Sequence, residues 1–125
     1  MTWIAIHDTI VAMGQSSIEA RRQTSSSLFN NIYFADVVLQ IAALAPTPEE
    51  FVTTRKIASA CGLGDSVVRT VVVRLEAAEM LRRLPRVGGP RSEQNFARSV
   101  SPQWDGLVAL CGTFTRSDEN AQVSR

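Results

Sequence analysis

Thr53-Thr-Arg-Lys-Ile-Ala-Ser-Ala-Cys-Gly-Leu-Gly-Asp-Ser-Val-Val-Arg-Thr-Val-Val-Val-Arg-Leu-Glu-Ala-Ala-Glu-Met80 holds two helical patterns joined by Gly62-Leu63-Gly64. In the first, Ile57, Ala58 and Cys61 fall at i, i+1 and i+4 and make an apolar stripe. Thr53 offers an N-cap oxygen, and Gly62 is free to take a positive φ just past the helix end. In the second, Asp65 or Ser66 is expected to cap a helix running to about Ala78. At about 100° per residue, Val68, Val72 and Leu75 cluster on one side with Val71 flanking. Ser66, Arg69, Thr70 and Val73 cluster on the opposite side. The density of β-branched residues also suits a strand, but the 3.6 period and the caps outweigh propensity. The stretch reads as a helix-turn-helix.

The charge follows the same stretch. The 125 residues carry a net +1, with 45% apolar and 20% charged side chains, the make-up of one ordinary globular domain. Divided along the chain, that total is uneven. Residues 54–98 hold nine basic residues against four acidic, a local +5, while residues 1–53 hold two against five, a local −3. A second helix with polar groups near its N-terminus, set in a basic region, is what duplex DNA requires of a partner. An ordinary amphipathic helix with a solvated face is the plain alternative for the helix read alone.

Other chemistries find little support. Cys61, Cys111 and the lone His7 form no metal-ligand spacing, and both cysteines sit on apolar stripes, as free buried thiols in a reducing compartment do. No nucleophile–base pair, phosphate loop, carboxylate pair or cofactor motif stands out, so the chain reads as a non-enzyme without a cofactor. The apolar N-terminus lacks a basic leading stretch and carries His7 and Asp8, and nothing approaches a membrane-spanning length. A cytoplasmic protein with no membrane partner is expected.

Along the chain, Trp3, Ile6 (or His7), Ile10 and Met13 recur at helical spacing, and Gly14-Gln-Ser-Ser17 breaks the pattern. Ser17 is placed to cap a short segment from Ile18 to Gln23, and Thr24-Ser-Ser-Ser27 reads as a polar joint, loop or cap. From about Leu28 to Ala45 the pattern is continuously helical, with Phe34, Val37, Val38, Ile41, Leu44 and Ala45 on one broad face, until Pro46-Thr-Pro48 stops it. Phe51-Val52 suits a very short strand. After Met80, Leu81–Arg86 and Asn95–Val100 flank the turn-forming Val87–Gln94 and predict a two-stranded ribbon, with Pro85 facing an unpaired edge. Ser101-Pro102 supplies an N-cap and N1 proline for a last helix striped by Trp104, Leu107, Val108, Cys111 and Phe114. Residues 115–125 are polar and expected to form a flexible tail.

The order helix, short strand, helix, helix, β-ribbon, helix describes a winged helix-turn-helix, mainly α with a small β-ribbon. At this point the chain resembles the bacterial winged-helix regulators of the MarR and ArsR type, from roughly Phe34 to Phe114. Ile57-Ala-Ser-Ala-Cys-Gly-Leu-Gly-Asp-Ser-Val-Val-Arg-Thr-Val71 is similar to that superfamily's "LAxxxGLSxSxVxRxL" run. Leu75-Glu-Ala-Ala-Glu-Met-Leu-Arg-Arg83 is similar to "LExxGLVxR", and Val100-Ser-Pro102 to "LTPxG". There are departures. Gly64-Asp65 puts a carboxylate where phosphates approach, Glu79 stands at the turn glycine, and Val73 puts an apolar group on the reading face. No ArsR-type cysteine pair appears in the second helix. The subfamily is left unassigned, and residues 1–27 form a helical extension ahead of a core at about 28–100 and a last helix at about 101–114.

The resemblance implies a sequence-specific, double-stranded DNA-binding transcriptional regulator acting as a homodimer. Ser66, Arg69 and Thr70 would face bases, with Val73 beside them and arginine gripping guanine bidentately. Arg55, Lys56 and Arg74 would neutralise phosphates, and Arg86 and Arg91 on the wing would reach the backbone or a minor groove. One such unit reads too few base pairs to be selective, so dimerisation is expected through Trp3, Ile6, Ile10, Met13, Trp104, Leu107, Cys111 and Phe114. A first helix folded back on its own domain is the rival to that interface. A small-molecule effector has no support in the residues. The rival for the whole chain is a winged-helix protein-interaction module without DNA binding, which Asp65, Val67 and Val73 would suit.

Overall fold

A computed structural model describes residues 17–89 and 91–114. Helix α1 spans Ser17–Phe29 and α2 Phe34–Leu44. Strand β1 (Phe51–Thr53) leads into α3 (Thr54–Cys61) and α4 (Asp65–Ala77). Strands β2 (Leu81–Arg83) and β3 (Asn95–Arg98) follow, then α5 (Pro102–Thr113). The three strands form one antiparallel sheet in the order β1-β3-β2, with Val52 opposite Phe96 and Leu81 opposite Arg98. Five helices and a three-stranded ribbon in this order make a winged helix-turn-helix.

Helix α2 is the pillar. Val37, Val38 and Ile41 have no exposed surface, and α2 packs on α5, α3 and α4. Ile57 of α3, Val68, Val71, Val72 and Leu75 of α4, and Phe96 of β3 close the core around it. The helix stops at Ala45, ahead of Pro46, as proline geometry requires. Arg98 reaches back to donate to the Ala45 and Pro46 carbonyls, at 2.9 and 2.7 Å, and satisfies that helix end.

The continuous helix expected from Leu28 to Ala45 is two helices, whose axes turn through 106° at the break. The expected joint at Thr24–Ser27 is instead helical, inside α1. The cause is a polar knot that spacing does not reveal. Asn30 takes φ 54° and ends α1, and the Asn31 side-chain oxygen accepts from Tyr33 N–H at 2.9 Å. Fully buried Ser25 donates to the Asn31 carbonyl at 2.7 Å and accepts from Ala35 N–H at 2.9 Å. That last bond satisfies a first-turn donor of α2 from a different helix. Phe29 stacks on Phe34 across the corner, 4.3 Å between ring centroids. Arg21 and Arg22 both donate to buried Asp36, Arg22 at 3.0 Å while lying over the Tyr33 ring.

Two smaller differences concern ends and faces. Neither Asp65 nor Ser66 caps α4; Gly64 is the N-cap residue and Asp65 already lies in the first turn. Trp104, Cys111 and Phe114, expected at a dimer interface, are 2%, 0% and 5% exposed inside the domain's own core, and Leu107 packs half-buried against it. An amphipathic stripe marks what is buried but not against which partner. Trp3, Ile6, Ile10, Met13 and the expected tail lie outside the described residues.

Candidate nucleic-acid interface

The helix-turn-helix is built from the caps its sequence carries. Thr53 Oγ1 accepts from Lys56 N–H at 3.1 Å and starts α3. Gly62, at φ 70°, ends it, and Leu63 N–H donates to the Ala58 carbonyl at 3.0 Å. That wrap-around bond turns the chain sharply, and only glycine takes this φ without steric cost. Val68, Val71, Val72 and Leu75 then anchor α4 on the core. Ser66, Arg69, Thr70 and Val73 project outward together, as their angular positions require.

The β2–β3 ribbon stands beside α4 and leaves a groove of about 420 Å³. Arg55, Arg69, Arg83 and Arg86 line it against Asp65 and Glu93, so the groove is net positive. Arg83 was not among the residues singled out from the sequence. Two residues from buried Leu81 on a strand, it shares that side chain's face and so turns toward α4. It forks onto Glu76 at 2.9 and 3.1 Å and lies over the Phe96 ring, latching the ribbon to α4. The guanidinium, by its hydrogen bonds above all, holds the Glu76 carboxyl below its ordinary range. Farther out, Gln94 accepts from Arg86 at 3.1 Å and donates to the Asn95 carbonyl at 3.0 Å, fixing the ribbon's root. Ser92 closes the tip by donating to the Gly89 carbonyl at 2.6 Å, next to exposed Arg91.

The expected phosphate contacts divide. Arg55 and Lys56 are exposed at the start of α3, and the 4.0 Å approach of Arg55 to Glu93 is a loose surface pair of little energetic worth. Arg74 is otherwise engaged: it donates to the Phe29 carbonyl at 2.6 Å and caps the end of α1. Its free surface position hid a partner 45 residues away. Glu79 takes φ 63°, so the turn between α4 and β2 is left-handed without glycine.

Both cysteines are free. Burial pushes the Cys111 thiol up to about 11, and burial, then Asp36, raises that of half-buried Cys61. Among the described residues, no cluster of His, Cys, Asp and Glu is arranged to hold a metal ion, and no single helix is long and apolar enough to cross a membrane.

The sequence matches no protein-family model and no curated protein. Solved structures do match. RV1404 from Mycobacterium tuberculosis is 17% identical at a TM-score of 0.62, covering 99% of this chain and 80% of that one. The transcriptional regulator BldR from Sulfolobus solfataricus is 21% identical at 0.59, covering 98% and 83%. MepR of Staphylococcus aureus, in a complex with DNA, is 14% identical at 0.59, covering 94% and 79%. The chain shares the winged-helix fold of these structures. At these identities the shared property is the fold. In this winged helix, α4 is the second helix of the helix-turn-helix and the β2–β3 ribbon is the wing.

Proposed function

We propose that this winged helix is a double-stranded DNA-binding transcriptional regulator that acts as a homodimer. The observation that carries the reading is the basic groove between α4 and the wing, bordered by the exposed Ser66-Arg69-Thr70-Val73 face. Arg69 and Ser66 face base edges, Arg55 and Lys56 meet phosphates, and Arg86 and Arg91 carry the wing to the backbone. MepR, a structural neighbour, has been solved on DNA. No catalytic step is assigned.

Dimerisation is supported by apolar side chains exposed among the described residues and by an apolar stripe in the sequence ahead of them. Ile18 and Leu28 of α1 and Leu110 of α5 are exposed, and the Trp3, Ile6, Ile10 and Met13 stripe adds apolar residues at helical spacing. Two copies joined there present two recognition helices to half-sites about one DNA turn apart. Light scattering at micromolar concentration should give a dimer for the full chain and a monomer after deletion of residues 1–14. A full-length monomer contradicts the homodimer.

Val73, 52% exposed, and acidic Asp65 favour one second reading, a surface for a protein partner. Anisotropy of a labelled random duplex separates the two. A regulator binds it at low salt and releases it as salt rises; an interaction module shows almost no binding at any salt.

A further inference from the structure

Two observations on α4 assign chemistry to the reading face beyond duplex binding. Thr70 Oγ1 donates to the Ser66 carbonyl one turn back, at 3.1 Å. With its hydroxyl returned to the backbone, Thr70 offers its γ-methyl outward. Val73, three residues on, is 52% exposed, although its neighbours Val71 and Val72 are buried. Ser66, Arg69, Thr70, Val73 and Arg74 border one open depression on the outer face of the helix. Arg74 is drawn aside by the Phe29 carbonyl. The centre of the face is therefore a pair of methyl-bearing side chains beside one guanidinium.

The geometry points to Thr70 and Val73 as readers of thymine C5-methyl groups, next to a guanine gripped by Arg69. The inference rests on the duplex-binding reading above and deepens it. In the major groove thymine alone among the four bases carries a methyl, and an apolar side chain is its complement. Side chains at i and i+3 on a helix lie about 5–6 Å apart, while successive base pairs rise about 3.4 Å. Thr70 and Val73 thus span one to two base-pair steps. Arg69, four residues before Val73 and adjacent to Thr70, falls at the edge of the same short stretch. A hydroxyl free to donate would tolerate several base edges; a methyl that has no hydrogen bond to offer does not.

The experiment uses the full chain. A preferred duplex is first selected from a random pool, and is expected to carry thymines within one or two base pairs of a guanine in each half-site. Each of those thymines is then replaced by uracil, which removes the methyl and keeps the pairing. Wild-type affinity should fall about fourfold for each methyl lost, the ratio given by burying one such carbon group. Val73→Ala should bind the thymine and uracil duplexes alike at one position, while Val73→Thr, which keeps a methyl, should still separate them. Both variants should keep the wild-type thermal midpoint, since Val73 is 52% exposed, which shows that they fold. Equal wild-type affinity for thymine and uracil duplexes, with salt-dependent binding intact, overturns this inference alone. A Val73→Ala protein that still prefers thymine at every position removes Val73 from the role. Absence of any salt-dependent duplex binding overturns the regulator reading and this inference together.

Discussion

Arg21 and Arg22 converge on the single buried carboxylate of Asp36, whereas Arg55, Arg69, Arg83 and Arg86 are spread around an open groove. The same side chain serves two ends. At the α1–α2 corner two guanidiniums, with Arg22 stacked on Tyr33, hold a sharp bend. At the groove the cations outnumber the anions and stay in contact with solvent. The difference teaches that formal charge is not available charge. Arg74 shows the boundary: it lies on α4, yet reaches the corner by its bond to Phe29.

The largest effect that separates the two regions is expected from Asp36→Ala. It leaves two guanidiniums facing each other without their carboxylate and should cost about 2–3 kcal/mol of stability, less than a fully buried pair because both arginines are partly solvated. Denaturant unfolding measures it, and duplex affinity per folded molecule should not change. Arg69→Ala inverts that result. Stability should stay within about 0.5 kcal/mol, while affinity for a selected site falls by about 1–3 kcal/mol and preference relaxes at one base pair. Equal losses on selected and random duplexes would take Arg69 off the base edges.

How far these regions could be read beforehand follows from the range of the forces that build them. Thr53, Gly62 and Ser101-Pro102 act on groups within a few residues, so their caps were legible, as were the two faces of α4 and the ribbon after Met80. The corner was not. Ser25 bonds to Asn31 and Ala35, partners that only the bend itself brings near, and the apolar spacing from Leu28 to Ala45 runs unbroken across it. Asn30-Asn31 was the one local signal, a pair suited to left-handed and side-chain-capped turns. In the candidate site, exposure on α4 was legible from angle alone. The tethering of Arg74 and the inward turn of Arg83 needed the fold.

Two further substitutions should have smaller effects. Arg74→Ala should lower stability by about 0.5–1 kcal/mol, since it removes one partly solvated hydrogen bond at the end of α1. The salt dependence of duplex binding should move by less than one phosphate contact, about 0.9 in slope, since one of its N–H groups is held by the Phe29 carbonyl. Glu79→Gly should raise the thermal midpoint, with a gain of about 0.5–1 kcal/mol: relief of the left-handed strain exceeds the entropy that glycine adds to the unfolded chain.

On the proposed function, the exposed cations of α3 and the wing, and not the corner's, meet phosphates. The slope of log affinity against log salt on a random duplex tests it most directly, for the wild type and for the triple variant Arg55→Ala, Lys56→Ala, Arg91→Ala. Each phosphate contact contributes about 0.9 to that slope. The triple variant's slope should be shallower by about 2.7 per bound chain, at unchanged stability. A wild-type slope near zero, or a triple variant as steep as the wild type, contradicts it.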